Sequence, residues 1–118
     1  LDLKTIAKAL DLKVLCSEEK LNTPVNGGYV GDLLSDVMAH SREGDLWITR
    51  QTHQNIIAVS SLKDHAGIVL VQGCEPADET LEKAKQENIP ILVSNLSSFE
   101  TIGKIYEILK LKGGDPAS

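Results

Sequence analysis

Aromatic residues are scarce in this chain of 118 residues: one Trp, two Tyr and one Phe. So few rings offer little stacking surface for single-stranded nucleic acid. Positive charge is also short, with 12 Lys and Arg against 17 Asp and Glu and a net charge of −5. That sign opposes general binding to a phosphate backbone. There are two cysteines and no C-x-x-C. This is too little for a secreted disulfide framework, and with His40, His53 and His65 it lacks the paired spacing of a zinc site. Cys16 and Cys74 are therefore expected to be reduced, buried or half-buried thiols in a cytoplasmic protein. No apolar run approaches the ~18 residues of a membrane span, and no basic-then-apolar opening predicts a signal peptide. What is present is a hydrophobic content of 42%, enough for one core without metal or disulfides. The expected organisation is one domain over 1–112 and a flexible tail over 113–118, where Gly113, Gly114 and Pro116 cannot continue a helix.

Strand and helix signals alternate along the chain. Residues 3–12 predict a helix with Ile6, Ala7 and Leu10 on one face, followed by a short strand at 13–16. A Gly-interrupted strand covers 25–30. Residues 32–40 predict a helix capped by Gly31 or Asp32, with Leu33, Leu34, Val37 and Met38 as its apolar stripe. Strands follow at 46–49 and 68–71, the second a β-branched run between Gly67 and Gly73. Residues 54–64 are ambiguous by composition. A helix there preserves the alternation, whereas two strands in succession would need a hairpin signal that is absent. Pro76 suits the first turn of a helix over 76–88, Glu79 and Lys83 form an i,i+4 pair, and Asn88 suits a left-handed cap. A strand covers 91–93. Ser97-x-x-Glu100 is a capping box opening a last helix with Phe99, Ile102, Ile105, Tyr106 and Leu109 inward. The expected fold is a three-layer α/β domain with a mainly parallel central sheet.

In such a sheet, ligands sit beyond the carboxyl ends of the strands. Three segments qualify. Asn26-Gly27-Gly28-Tyr29-Val30-Gly31 nearly matches G-x-G-x-x-G, but the acidic residue of a dinucleotide site is not at the end of the next strand. Its glycines still allow close backbone approach, or simply make a tight turn. Residues 49–55 are dense in hydrogen-bonding groups and form the strongest candidate loop. The plainer alternative is that Thr52 or His53 caps a helix. Gly73-Cys74-Glu75-Pro76 occupies the equivalent place one unit later, although Glu75, Asp78 and Glu79 oppose a thiolate at Cys74. Asp32, Asp36 and His40 share an i, i+4, i+8 spacing that reads more readily as a solvated helix face than as a metal site. No G-x-x-x-x-G-K-[ST] loop is present, and no recognition helix follows the first helix.

Val25-Asn26-Gly27-Gly28-Tyr29-Val30-Gly31-Asp32, Glu43-Gly44-Asp45-Leu46-Trp47-Ile48-Thr49, Ile68-Val69-Leu70-Val71-Gln72-Gly73-Cys74-Glu75-Pro76 and Asn88-Ile89-Pro90-Ile91-Leu92-Val93-Ser94 resemble a DRTGG domain. The stretch 68–94 also resembles the N-terminal domain of HPr kinase/phosphorylase. Ser41-Arg42-Glu43-Gly44-Asp45-Leu46 resembles the N-terminal domain of Mur ligases. The resemblance implies a fold like those two domains and an accessory, non-catalytic module without kinase activity. It implies a setting beside phosphotransacetylase domains or between the CBS domains of some pyrophosphatases, with a part in subunit association. For stand-alone versions it implies anaerobic organisms and proximity to iron-only hydrogenase.

Two functions remain open at this point. The first is a regulatory or ligand-sensing interaction module without cofactor. It would be homodimeric, because Tyr29, Met38, Trp47 and Phe99 are few large side chains for one core. It would bind a small anionic or nucleotide ligand, a protein partner, or both. The second is a small metal- or nucleotide-dependent enzyme using Asp32, Asp36, His40 or His53. The expected ligand residues are Gly27, Gly28, Gly31, Asp32, Arg50, Thr52, His53, Asn55, Gly73 and Glu75. Nucleic acid and membrane are not expected partners.

Overall fold

A computed structural model describes residues 1–112, so the tail expected over 113–118 lies outside the described residues. Its helices are α1 (Leu3–Leu10), α2 (Leu34–His40), α3 (Asn55–Leu62), α4 (Asp78–Glu87) and α5 (Ser98–Lys112). Its strands are β1 (Lys13–Val14), β2 (Gly27–Val30), β3 (Asp45–Thr49), β4 (Gly67–Leu70) and β5 (Ile91–Val93). They form one sheet in the order β1-β5-β4-β3-β2. Strands β2 to β5 are parallel, and Ile68 pairs with Ile91 as neighbouring parallel strands require. The exception is β1, which runs antiparallel with Lys13 opposite Val93. An antiparallel edge strand on an otherwise parallel sheet is a common arrangement, because an edge is held from one side only.

Side chains of alternating residues build two cores. Leu46, Ile48, Val69, Val71 and Leu92 pack with Leu3, Ile6 and Leu10 of α1 and with Ile105 and Leu109 of α5. Trp47, Ile68, Leu70, Ile91 and Val93 pack with Val37 of α2, Ile56 and Ile57 of α3 and Ala84 of α4. Period-2 alternation thus sends each central strand's residues into opposite layers, which is why β3 and β4 are buried along their whole length. Full burial of each such aliphatic side chain is worth roughly 1.5–3 kcal/mol. Trp47 is fully buried, and its indole N–H donates to the Gly31 carbonyl at 2.9 Å, satisfying the one polar group that burial would penalise.

Local signals explain most boundaries. Asp2 caps α1 by accepting from the Thr5 amide at 2.9 Å. Asn88 ends α4 at φ 56°, its amide directed to the Ala84 and Lys85 carbonyls, as its left-handed tolerance predicts. Ser97 Oγ accepts from the Glu100 amide at 3.1 Å, the capping-box geometry. Residues 54–64 are indeed helical in their central part, as α3.

Several expectations need correction. The helix after β2 starts at Leu34 with Leu33 at its N-cap and no side-chain cap, because the Asp32 carboxylate is engaged elsewhere. Of its expected apolar stripe only Val37 is buried; Leu33 and Met38 are exposed. Pro76 precedes α4 rather than opening it. The ion pairs on α4 are Lys83 with Glu87 and Lys85 with Glu82. Phe99 and Tyr106 are exposed instead of inward, since α5 covers only part of its sheet face and Ile105 and Leu109 already fill the contact.

Candidate functional site

Parallel strands bring the ends of β2, β3, β4 and β5 to one edge, and hydrogen bonds join the loops that follow them. Asp32, after β2, accepts at Oδ1 from Thr49 Oγ1 at 2.7 Å and from the Arg50 amide at 2.8 Å. Its carbonyl accepts from Gln51 Nε2 at 3.0 Å. The Thr52 carbonyl, after β3, accepts from the Ala77 amide at 3.2 Å and from Thr80 Oγ1 at 2.6 Å. Gln72 and Gly73, after β4, donate their amides to Leu96 and Ser94 carbonyls at 2.9 and 2.8 Å. Both residues adopt positive φ, 57° and 66°, which Gly73 accommodates without strain. Four loops therefore form one hydrogen-bonded rim.

Gly31, Asp32, Arg50, Thr52, His53, Gly73 and Glu75 all lie on segments of this rim, and Asn55 opens α3 beside them. Thr52 contributes its backbone carbonyl and not a helix cap; α3 has Gln54 at its N-cap with no side-chain bond, so neither Thr52 nor His53 caps it. Arg50, His53 and Glu75 are exposed, and Glu75 faces Lys13 at 3.9 Å. Gly27 and Gly28 are not on the rim. They lie within β2, where Gly27 pairs with Asp45 at the start of β3, towards the opposite edge. A Cβ on Gly28 would meet only the Leu46 carbonyl oxygen, at 3.6 Å, so no tight phosphate-cradling turn is built there.

Two adjacent clefts, sharing Val30, Ile48 and Ile102, border the sheet beneath α5. One, of about 80 Å³, opens at the rim and is lined by Val30, Gly31, Asp32, Ile48, Thr49, Arg50, Val71, Ser98 and Ile102. The other, of about 160 Å³, continues along α5 over Gly28, Val30, Ile48, Ile102, Ile105, Tyr106 and Leu109. Apolar walls with a few polar groups at one end are shared with small-molecule sites, although both clefts are smaller than the roughly 300–1,000 Å³ of a site for a drug-sized ligand. The residues of the 94–98 loop and Ile102 were not expected at the site. Their signal was available in the sequence, since this loop also follows a strand and precedes a helix.

The i, i+4, i+8 triplet does not assemble. Asp32 precedes α2 and turns to β3, while Asp36 accepts from the Tyr29 hydroxyl and lies 3.1 Å from His40 Nδ1. The bond to Asp36 raises the Tyr29 phenol above its ordinary range, with burial and the Asp36 charge acting in the same direction. Among the described residues, no three His, Cys, Asp or Glu are grouped to hold a metal ion. Cys16 is buried with its thiol 3.3 Å from the Ile89 carbonyl, and Cys74 is half-buried. No helix of the described residues is long and apolar enough to cross a membrane.

The DRTGG domain pattern matches residues 5–108. The chain belongs to the DRTGG domain family. The DRTGG fold here is similar to the solved CBS and DRTGG domains of the regulatory region of Clostridium perfringens pyrophosphatase, complexed with the activator diadenosine tetraphosphate. The TM-score is 0.70 at 22% identity, over 86% of this chain. This chain spans 44% of that one, so the likeness is of fold and covers less than half of the neighbour. No curated protein matches the sequence.

Proposed function

We propose that this DRTGG domain is a regulatory module that senses an adenine nucleoside or nucleotide at the rim cleft and works as a homodimer in the cytoplasm. The observation that carries the ligand reading is the joining of four strand-following loops around an apolar cleft with Asp32, Thr49, Arg50 and Ser98 at its mouth. Arg50, on the exposed rim, supplies a cation for a phosphate, and the start of α5 adds the partial positive charge of a long helix. A regulatory region of similar fold that is crystallised with diadenosine tetraphosphate supports the choice of ligand class.

The dimer reading rests on β2, an edge strand paired only with β3. Val30 of this strand, and Tyr106 and Phe99 of α5, the helix in contact with it, are 49%, 51% and 88% exposed. An open strand edge flanked by apolar side chains is suited to a second copy of itself. A setting beside iron-only hydrogenase in anaerobic energy metabolism, and binding of a protein partner, complete the proposal on family resemblance alone.

A thermal-shift series with adenosine, AMP, ATP, diadenosine tetraphosphate and inorganic phosphate tests the ligand reading. A selective binder at 100 times its Kd stabilises the fold by about 2.7 kcal/mol. Adenine compounds should raise Tm in the wild-type chain and phosphate should not. No shift with any of them, confirmed by calorimetry, would remove the ligand half of the proposal.

A further inference from the structure

Helix α2 is held to the sheet mainly by polar bonds. Val37 is its one buried residue, and so small an apolar contact marks a segment that opens locally. The Trp47 indole donates to the Gly31 carbonyl before the helix, the Tyr29 hydroxyl donates to Asp36 within it, and His65 meets Ser41 just after it. The last bond depends on one proton. Ser41 Oγ gives its hydrogen to the Val37 carbonyl at 2.6 Å, so Nε2–H of His65 is the donor in their 2.8 Å contact. In the neutral ring Nδ1 then accepts from Ser60 Oγ at 3.2 Å. A second ring proton turns Nδ1 into a donor and leaves the buried Ser60 hydroxyl without its acceptor. Beside the ring lies a polar cavity of about 200 Å³, lined by His65 itself, Lys20, Ser61, Asp64 and Glu87.

We propose that α2 is a proton-released flap: protonation turns the His65 ring from its seat beside Trp47 into this cavity, frees Ser41, and lets α2 and the loop before it loosen from the sheet at the rim. Asp64 and Glu87 attract the imidazolium as it enters the cavity, while Lys20 opposes it. In the present seat Asp45 on β3 and Asp64 favour the charged ring, whereas burial, the largest influence, and Lys63 disfavour it. On the α2 side His40 and Arg42 flank Ser41 in the chain. The loop that α2 carries includes Asp32, which bonds Thr49 and the Arg50 amide, so release at the far pole reaches the rim. The device is independent of what the cleft binds.

Hydrogen exchange of the full chain, followed by NMR at pH 7.5 and 5.5 and expressed as protection factors, tests the proposal. The Val37 and Ser41 amides, which bond the Leu33 and Val37 carbonyls, should exchange through a smaller opening than the amides of β4. Their protection should fall by about tenfold at pH 5.5, one unit below the ordinary histidine value, because the opened state takes up a proton that the closed state resists. In His65→Gln, which keeps an amide for Ser41 but cannot titrate, the fall should vanish. Asp64→Asn with Glu87→Gln leaves His65 in place and removes the carboxylates of the cavity, so the fall should shrink. Protection of α2 that does not change with pH overturns the proposal, as does an equal fall in His65→Gln. If α2 opens only together with β4, the loss belongs to global unfolding and the flap is refuted. Should His65→Gln fail to fold by circular dichroism, the double variant decides, and an undiminished fall there overturns the proposal.

Discussion

Ser41 Oγ and His65 Nε2 stand 2.8 Å apart at the edge of the sheet opposite the rim. Ser41 also bonds the Val37 carbonyl at 2.6 Å, and the other ring nitrogen of His65 lies 3.2 Å from Ser60 Oγ. The imidazole meets the Trp47 ring edge-on, with centroids 5.6 Å apart. One histidine thus ties the end of α2 to α3 over the largest side chain of the core. Burial lowers its pKa below the ordinary 6.5, against the opposing charges of Asp45 and Asp64 and with the support of Lys63.

Stability should accordingly depend on pH through this residue. A group with a depressed histidine pKa binds fewer protons folded than unfolded, so stability rises with pH. The contribution is present above the unfolded value of about 6.5 and is lost as pH falls from there through the folded value. Thermal melts between pH 7.5 and 5 should show a fall in Tm that is smaller in His65→Gln. Parallel curves for the two proteins would contradict this account.

Gly44 should not tolerate a side chain. Its φ is +83°, and a Cβ there would lie 2.2 Å from Asn26 Nδ2. Gly44→Ala is expected to cost more than about 1 kcal/mol, from backbone strain and the displaced Asn26 together. Urea unfolding measures it, and a midpoint equal to wild type would show that the turn relaxes freely.

The capping box of α5 should be worth about 0.5–2 kcal/mol. Ser97→Ala removes the acceptor for the Glu100 amide at 3.1 Å, while Ser97→Asp should restore it and lower the loss to a few tenths of a kcal/mol. Equal loss in both variants would assign the effect to something other than the cap.

Self-association should disappear on charging the patch beside β2. Sedimentation at tens of micromolar, where a dimer with a Kd near 1 μM persists, is expected to show a wild-type dimer. A Phe99→Asp/Tyr106→Asp double variant should be monomeric with an unchanged far-UV spectrum. A wild-type monomer at that concentration would refute the dimer.

The sequence was most informative where one local cause fixes one local outcome. Asn88, Ser97 and the apolar run of β4 behave as their chemistry dictates, because a left-handed cap, a capping box and a doubly buried strand each depend on a few adjacent residues. The neighbouring placement of β4 and β5 was likewise legible from the length and amphipathy of the intervening helix. Side-chain destinations set by distant partners were not legible. Asp32 looks like a helix cap until Thr49 and Arg50, 17 and 18 residues on, claim its oxygen. Phe99 and Tyr106 follow the inward period of α5, but how much of the sheet α5 covers depends on where α1 packs. The strand over the glycines at 27 and 28 was legible, but their approach to a phosphate motif suggested a ligand-facing turn, whereas pairing with β3 places them towards the other end of the sheet. The rim was therefore half readable: its loops follow from topology, but the bonds that join them do not follow from spacing.

The two ends of the described chain leave the domain from the same side. The Leu1 carbonyl accepts from the Val25 amide at 3.1 Å, two residues before β2 begins, and the last turns of α5 bring Leu109 alongside Gly28 in the same part of that strand. Asp32 and the loops joined to it lie at the other end of the strands. A unit built in this way can be spliced between other domains at one pole while its opposite pole stays open to solvent. Tethers attached at residues 1 and 112 would then restrain the position of the domain without obstructing what enters its cleft.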